Sequence, residues 1–379
     1  MHWTRLLSLF ALLSLMLATL AACGGAPAPQ SGGSTAGPTA VAAPGPTSAP
    51  APTAAPAPTA AVATTVVTAI GAPPAQSSAP AQSIPSSTAE IVFKGHTGPV
   101  TQASFAPDGK TVVTSSDDGT ARLWDAATGK ELRQFIGHTD ELRGAIFSPD
   151  GKMIFTTSND RTARLWDIAT GKELRQFIGH TDQVNKAAFS PDGKLVVTAS
   201  PDGTARVWDI NTAKSLLTFT GHAPSSPNRP AFAPDGKAIV TGGLDGTVLM
   251  WEPLTGTVLK TFKGYTGPVG TPAFSPDGKY LATPIDGTAR LWDVASTKEL
   301  RRFELPGVVT AGAAFSPDGK YLATSGYDGI ARLWDAQSGK ELRRFIGHTD
   351  EVRIVVFSPD GNSILIASHD GTARLWRLK

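Results

Sequence analysis

A tryptophan recurs along this chain at a nearly constant interval. Seven of the eight tryptophans are spaced 42, 42, 43, 41, 42 and 42 residues apart, and only Trp3 lies outside the series. The seven are Trp124, Trp166, Trp208, Trp251, Trp292, Trp334 and Trp376. A fixed period in this range indicates repeated units that are too small to bury their own apolar faces and must stack on their neighbours. The period therefore predicts a repeat architecture.

Charged residues divide the chain into two parts. Every Asp, Glu and Lys lies at or after Glu90, and so does every Arg except Arg5. The charged body that follows is long enough to form a real core. With 34 Lys and Arg against 32 Asp and Glu, the net charge of +2 provides no general field that would attract nucleic acid. We therefore expect no nucleic-acid partner, although a neutral total still allows a local charged patch.

The first residues have the layout of a secretory signal. Arg5 precedes an apolar run over residues 6–20, which is too short to span a bilayer comfortably. The run ends in Leu20-Ala21-Ala22-Cys23, which resembles the lipobox of bacterial lipoproteins. The resemblance implies cleavage before Cys23 and attachment of lipid to it. The alternative is an ordinary cleavage site with an incidental cysteine. Because each buried CH₂ contributes about 0.8 kcal/mol, several acyl chains would hold the protein at a membrane.

The segment after the cysteine is a linker by composition. Residues 24–89 contain no charged or aromatic side chain and hold 13 of the 30 prolines. Such a composition cannot form a core and favours extended polyproline II segments, so we expect a disordered, semi-stiff tether with a reach of ~3.1 Å per residue. The predicted organisation is a signal peptide over residues 1–22, the lipidated Cys23 and linker over residues 23–89, and the repeat domain over residues 90–379.

Each repeat has the pattern of four short β-strands separated by turns. In the third repeat the strand segments are VNKAAFS, LVVTAS, TARVWDI and SLLTFT. The recurring SPDGK is typical of a turn, because Pro presets the first turn position, Asp bonds to nearby backbone and Gly takes a positive φ. We interpret the Asp residues of this motif as turn formers, and we expect no metal and no cofactor. A single cysteine also excludes an intramolecular disulfide and a thiolate metal cluster.

The motifs Gly-His, FSPDG, DGT and Trp-Asp, spaced by about 42 residues, together resemble the WD-repeat β-propeller family from Glu90 to Lys379. The resemblance implies an all-β ring of seven four-stranded antiparallel blades. The last blade lacks an outer strand after Trp376, and residues 91–94 align with the outer-strand segment ELRQF. We therefore predict that the N-terminal strand completes the last blade and closes the ring. As the resemblance implies, we expect a monomeric propeller that binds a protein or peptide partner and has no catalytic activity.

The resemblance also implies a buried hydrogen-bonded chain in each blade, from a Trp indole through Thr and His to Asp. Four repeats carry complete sets, which we call tetrads: His96, Thr114, Asp118 and Trp124; His138, Thr156, Asp160 and Trp166; His180, Thr198, Asp202 and Trp208; His222, Thr241, Asp245 and Trp251. Buried indole and imidazole groups need hydrogen-bond partners, so we interpret the tetrads as scaffold. Thr, His and Asp also occur in nucleophilic triads, but four copies of one arrangement do not form a single active site.

The repeats differ mainly at the third and fifth residues after the His and at the residue before the turn Asp. In the family these positions project from the top face around the central channel. Blades seven, one, two and three present polar side chains there, and blades four to six present apolar ones. The predicted partner-binding residues are Leu244, Pro268, Ile285, Val309, Tyr327, Arg143, Asn159, Asn185, Glu351, Arg353 and His369. Contiguous exposed apolar residues beside a polar arc favour a recognition surface, and tolerated repeat decay is the alternative.

Lysines are concentrated in the turns of the opposite, bottom face. They are Lys110, Lys152, Lys194, Lys237, Lys279 and Lys320, with Lys130, Lys172, Lys214, Lys298 and Lys340 in the neighbouring turns. Such a ring could bind an anionic cell-envelope polymer, which is the alternative function. A solvated rim is the simpler interpretation, because Gly-Lys follows from turn chemistry and acidic neighbours weaken the field. A catalytic site in the channel is a third possibility, but no metal-spaced His cluster, activated nucleophile or phosphate loop supports it.

Overall fold

The computed structural model describes residues 86–87, 89–223, 229–243, 245–265, 267–285 and 287–378. The predicted signal peptide, Cys23, nearly all of the predicted linker and Leu244 lie outside these residues. The described part of the chain forms β-strands joined by turns. No helix within it is long and apolar enough to cross a membrane.

Seven antiparallel sheets follow one another along the chain, which confirms the predicted seven-bladed propeller. The strands, in blade order, are Val100–Phe105, Thr111–Ser116, Ala121–Asp125 and Glu131–Phe135 in blade one; Leu142–Phe147, Met153–Ser158, Thr162–Asp167 and Glu173–Ile178 in blade two; Lys186–Phe189, Leu195–Ala199, Ala205–Asp209 and Ser215–Phe219 in blade three; Arg229–Phe232, Ile239–Gly242, Val248–Trp251 and Val258–Phe262 in blade four. Blade five contains Ala273–Phe274, Tyr280–Ile285, Thr288–Asp293 and Lys298–Glu304; blade six contains Thr310–Phe315, Tyr321–Gly326, Ala331–Asp335 and Glu341–Phe345; blade seven contains Val352–Phe357, Ser363–Ser368 and Thr372–Arg377.

The N-terminal strand completes blade seven, as predicted. Ile91–Lys94 pairs antiparallel with Thr372–Arg377, and Ile91 lies opposite Leu375. The backbone N–H of Glu90 extends the ladder by donating to the Leu375 carbonyl at 2.9 Å. The outer strand of the last blade therefore comes from the start of the domain, which closes the ring and leaves short outer edges. A further two-residue strand, Ser86–Ser87, pairs in parallel with the outer strand of blade six.

The core is a circle of seven apolar clusters, one between each pair of adjacent blades. In every cluster a Phe in the last two residues of one outer strand packs on the Trp of the next blade. The Phe–Trp pairs, with ring centroids 4.3–5.9 Å apart, are Phe93–Trp124, Phe135–Trp166, Phe177–Trp208, Phe219–Trp251, Phe262–Trp292, Phe303–Trp334 and Phe345–Trp376. Each blade is thus stabilised by a neighbour, as expected for a unit that cannot bury its own apolar face.

Outer-strand arginines also link neighbouring blades. Arg133 of blade one donates to the carbonyls of Ala169 and Thr170 in blade two, at 3.0 and 2.9 Å. Arg301 of blade five makes the equivalent bond to the Ser338 carbonyl of blade six at 2.7 Å. These side chains satisfy backbone groups in the bottom turns, so the charges on the outer strands also contribute to blade packing.

The SPDGK turns are held by their own side chains. In blade two the Ser148 hydroxyl donates to the Asp150 carboxylate at 2.6 Å, and the Lys152 N–H donates to it at 3.1 Å. Gly151 has a φ of 70°, which a residue with a Cβ adopts at a cost. The hydrogen bond from Ser148 lowers the pKa of Asp150. The Ser148 hydroxyl, the Asp150 carboxylate and the Lys152 N–H therefore all form hydrogen bonds within the turn.

Candidate functional site

The structure brings the four members of each tetrad into one hydrogen-bonded chain. In blade one, Trp124 Nε1 donates to Thr114 Oγ1 at 2.8 Å, and Thr114 Oγ1 lies 2.7 Å from His96 Nε2. His96 Nδ1 lies 2.8 Å from a carboxylate oxygen of Asp118. Because the Thr oxygen accepts from the indole, its own hydrogen is free for His96 Nε2, which assigns the proton on the ring to Nδ1. The chain runs through the interior of the blade and leaves no free nucleophile.

The other complete tetrads repeat this geometry. The three links span 2.7–2.8 Å in blade two and in blade three, and 2.8–3.2 Å in blade four. Burial is the main reason why the pKa of His180 and of His222 is lowered, so both imidazoles are stabilised in the neutral form. Burial raises the pKa of Asp118, but hydrogen bonds from His96 and Thr120 outweigh it and hold that pKa far below its usual range.

Three blades depart from the tetrad in different ways. In blade five, Tyr265 takes the place of His, and its hydroxyl lies 3.1 Å from the Thr283 hydroxyl. In blade six, Pro306 stands there, and Arg332 lies 2.5 Å from the Asp328 carboxylate. In blade seven, Ile366 replaces Thr and leaves His348 Nε2 buried without a hydrogen-bond partner. Tyr265 and Arg332 thus provide polar partners for Thr283 and Asp328 in the first two blades, whereas in blade seven His348 Nε2 is left unsatisfied.

On the top face, Arg143 joins polar residues of blades one and two. Its Nε donates to Asn159 Oδ1 at 2.7 Å, its Nη2 contacts the Glu141 carboxylate at 2.8 Å and its Nη1 lies 3.4 Å from the Asp117 carboxylate. A guanidinium has five N–H donors in a fixed plane, so one arginine can hold three acceptors at once. These four residues form one network at the rim of the channel.

Arg353 makes the same arrangement between blades six and seven. Its Nε donates to His369 Nε2 at 2.8 Å, its Nη2 contacts the Glu351 carboxylate at 2.9 Å and its Nη1 donates to the Tyr327 hydroxyl. The guanidinium also lies 4.4 Å above the centroid of the Tyr327 ring. Burial, together with the charge of Arg353, lowers the pKa of His369 to about 4. The His369 ring is therefore neutral at pH 7, and its Nε2 accepts the hydrogen bond.

The predicted apolar arc is only partly present. Pro268 and Val309 are exposed, with Val309 at 45%, and the Tyr327 ring is partly covered by Arg353. The prediction that Ile285 is exposed is wrong, since only 3% of this residue is accessible. The turn after it is one residue short, so Ile285 ends its strand where the other blades have a buried Ser or Gly, such as Ser116. The exposed apolar surface is therefore smaller than expected.

The channel opens on the top face through a cavity of about 190 Å³. It is lined by Thr101, Arg143, Gln183, Asn185, Lys186, Arg229, Arg353, Ile354 and His369. Several of these were predicted from the sequence, but Lys186 and Arg229 were not. They begin the first strands of blades three and four, where their side chains point into the channel. The channel mouth is thus lined mainly by polar and cationic side chains.

Lys186 and Arg229 are held by neutral oxygens. Lys186 Nζ lies 2.6 Å from the Arg143 carbonyl, 3.1 Å from the Thr101 carbonyl and 3.0 Å from Gln102 Oε1. Arg229 Nη1 lies 3.1 Å from the Ala311 carbonyl. Burial lowers the pKa of Lys186 well below its usual value, and the nearby arginines lower it further. Among the described residues, neither cation has a carboxylate within ion-pair distance.

The bottom face has a different electrostatic character. Lys194, Lys279 and Lys320 lie 3.3, 3.1 and 3.5 Å from the turn Asp two residues earlier in the chain. All three lysines are well exposed, so such pairs contribute little stability, but each carboxylate offsets the positive field of its lysine. This pairing weighs against a strongly cationic bottom ring.

The described residues contain no group of three or more His, Cys, Asp or Glu arranged to hold a metal ion.

Residues 99–377 match the family model described as the IFT122 first beta-propeller. The chain belongs to this family. The matched residues run from the start of blade one to the end of the Trp376 strand, so this WD-repeat propeller matches the family over all seven blades.

Curated relatives are similar over shorter segments. The guanine nucleotide-binding protein subunit beta of Arabidopsis thaliana is 46% identical over 50 residues, which is 13% of this chain and 13% of that protein. The equivalent protein of Nicotiana tabacum is 44% identical over 50 residues, with the same coverage. The serine-threonine kinase receptor-associated protein of Bos taurus is 47% identical over 38 residues, or 10% of this chain and 11% of that protein. The matched segments thus span about one repeat and a small part of each relative.

Proposed function

We propose that this protein is a membrane-anchored, extracytoplasmic WD-repeat platform that binds a protein or peptide partner through the top face of its propeller. One observation carries the proposal. The side chains that differ between blades converge on the mouth of the channel, whereas the tetrads and Phe–Trp pairs repeat inside the ring. Most blades have other residues at the position of Arg143 and Arg353, so these side chains are not part of the repeated scaffold.

The composition of this surface suits a polypeptide partner. Arginine and tyrosine are enriched among the residues that dominate binding energy at protein interfaces, and both occur here in the Arg353–Tyr327 pair. Val309 and Pro268 add exposed apolar surface on neighbouring blades. The guanine nucleotide-binding and receptor-associated proteins to which the chain is similar have names that describe association with other proteins. We propose no catalytic step.

The test is affinity capture of the full chain from its native cells, comparing two variants of the same type. Val309→Glu places a charge on the top rim, and Leu254→Glu places one in a bottom turn. Both positions are exposed, at 45% and 60%, so neither variant is expected to lower the thermal midpoint. A central interface contact contributes about 2 kcal/mol, so Val309→Glu is expected to weaken retention of the partner roughly 30-fold.

Leu254→Glu is expected to retain the partner at the wild-type level. Equal retention by both variants would remove the top face as the binding surface. Loss with Leu254→Glu alone would place the partner on the bottom face and favour the alternative function, binding of an anionic envelope polymer.

The proposal for the membrane anchor rests on the sequence Leu20-Ala21-Ala22-Cys23 after an apolar run, and on the uncharged, proline-rich segment that follows. We expect the wild-type protein to partition into detergent after membrane extraction. The Cys23→Ala variant has no site for the lipid and is expected to lose this partitioning. Equal partitioning of the two proteins would contradict lipid anchoring at Cys23.

A further inference from the structure

Among the described residues, the channel mouth holds four cationic side chains, Arg143, Lys186, Arg229 and Arg353, against the three carboxylates Asp117, Glu141 and Glu351. Arg143 is paired with Glu141 and Asp117, at 2.8 and 3.4 Å, and Arg353 is paired with Glu351 at 2.9 Å. Within the part of the chain that the structure describes, Arg229 reaches the neutral oxygens of Thr271 and Ala311, at 3.4 and 3.1 Å, and the side-chain hydroxyl of Tyr327. The five residues that precede Arg229 in the sequence, PSSPN, include no acidic residue.

Lys186 adds a second basic side chain without a described carboxylate at ion-pair distance to the same cavity. Its three hydrogen bonds go to two backbone carbonyls and one amide oxygen, which are neutral acceptors. Taking a charge out of water is costly unless an opposite charge compensates, and two like charges that line one small cavity also repel each other. The net charge of the chain is only +2, so the cations in this cavity do not reflect a generally basic protein, and their mutual repulsion does not stabilise the fold. The arrangement is suited to an anion.

We propose that this cavity is a subsite for a carboxylate side chain from an acidic segment of the partner polypeptide. The inference rests on the proposed function and specifies the chemistry of the partner. Arg229 is the primary contact, because a guanidinium has five donors and its described acceptors are only three, the oxygens of Thr271, Ala311 and Tyr327. Lys186 has acceptors within 3.1 Å for all three of its donors, so it contributes through charge, and a bound carboxylate favours the protonated form that burial disfavours.

A carboxylate fits this site for two reasons. A planar guanidinium can hold a carboxylate through two parallel hydrogen bonds, and the neighbouring Arg143 and Arg353 already bind carboxylates of this chain. The cavity is also continuous with the top face, where the amides of Gln183 and Asn185 line it and can bond the backbone of an incoming chain. A side chain that enters from above therefore carries its main chain across the proposed recognition surface.

The probe is a hexaglutamate peptide with acetylated and amidated ends, titrated calorimetrically into the full-length protein. The uncharged comparison is the corresponding hexaglutamine peptide, and inorganic phosphate at equal ionic strength is the third arm. The variants are Arg229→Met, Lys186→Met and, as a matched control that removes one exposed bottom-face charge, Lys152→Met. We expect hexaglutamate to bind and hexaglutamine not to bind. A hydrogen bond to a charged group contributes ~1.5–3 kcal/mol, so Arg229→Met is expected to weaken binding by roughly tenfold or more.

Lys186→Met is expected to weaken binding several-fold, and Lys152→Met to leave it unchanged. A second measurement uses the wild-type protein alone. Its thermal midpoint is expected to rise more with hexaglutamate than with hexaglutamine at the same concentration. The inference is overturned if hexaglutamate fails to bind, or if it binds equally to the wild type and Arg229→Met. Binding of inorganic phosphate alone would assign the cavity to a free ion and overturn the peptide source.

These outcomes are separable from those for the proposed function. If capture of the native partner depends on Val309 while hexaglutamate does not bind, the carboxylate subsite is wrong and the top-face function stands. If hexaglutamate binds through Arg229 while capture is insensitive to Val309→Glu, the subsite stands and the proposed binding surface is wrong.

Discussion

Replacing Phe93 by Ala is expected to lower the free energy of unfolding by about 3–5 kcal/mol, the usual effect of removing a buried Phe side chain. Phe93 is 1% exposed and packs on Trp124 of blade one, although its strand belongs to the sheet of blade seven. This contact closes the ring, so the loss affects the two blades that meet there. Chemical denaturation followed by tryptophan fluorescence measures it.

Val92→Ala provides the matched control, because Val92 lies in the same strand and is 44% exposed. A change within about 0.5 kcal/mol is expected for this variant.

A chain that starts at Gly95 loses the whole closing strand and leaves the Thr372–Arg377 edge unpaired, so it is expected to self-associate as well as to unfold more easily. If the free energy of unfolding of Phe93→Ala lies within 1 kcal/mol of the wild-type value, the stability of the ring does not depend on this closing strand.

The second large effect is expected from Thr114→Val in the first tetrad. The variant keeps the shape of the side chain but removes the hydroxyl between Trp124 Nε1 and His96 Nε2, at 2.8 and 2.7 Å. Both groups are then left buried without this partner, and each such group costs ~1–3 kcal/mol. We expect the free energy of unfolding to fall by about 2–4 kcal/mol, the sum of two such losses near the lower end of that range.

Thr111→Val is the control in the same strand, where the Thr side chain is partly exposed and is not part of the tetrad. Blade seven offers the reverse substitution. Ile366→Thr shortens an apolar side chain but supplies a hydroxyl to the unsatisfied His348 Nε2, so its net effect is expected to be close to zero. Equal losses for Thr114→Val and Thr111→Val would contradict the account of the tetrads as the main polar support of the blades.

The period and the turn chemistry predicted a repeat protein with four short strands per unit, and the family resemblance implied the seven-bladed ring. A spacing of about 42 residues left room for four short strands, and the missing outer strand after Trp376 pointed to residues 91–94 as its replacement. The tetrads followed from the family resemblance, and the structure places their side chains within hydrogen-bonding distance of one another.

The candidate site was less accessible to sequence reasoning. The sequence comparison covered the third and fifth residues after the His. It did not include the sixth residue, whose side chain lines the channel in blades three, four and seven. That column contains Gln102, Gly144, Lys186, Arg229, Thr271, Gly312 and Ile354, so two adjacent basic residues were visible in it. The sequence did not reveal the hydrogen-bond partners of Lys186 and Arg229, because these partners are mainly backbone carbonyls of other blades that only the folded ring brings near. Ile285 was placed on the surface because the short turn of blade five shifts its position by one residue.

The central claim is that a partner binds at the top mouth of the channel, and hydrogen exchange on the captured complex tests it most directly. Relative to the free protein, we expect slower amide exchange in the top-face segments 308–310, 325–327 and 351–354, which surround Val309, Tyr327 and Arg353. Exchange in the bottom turns 150–152, 192–194 and 318–320 is expected to stay the same. Protection confined to those bottom turns, with no change around Arg353, would contradict the account.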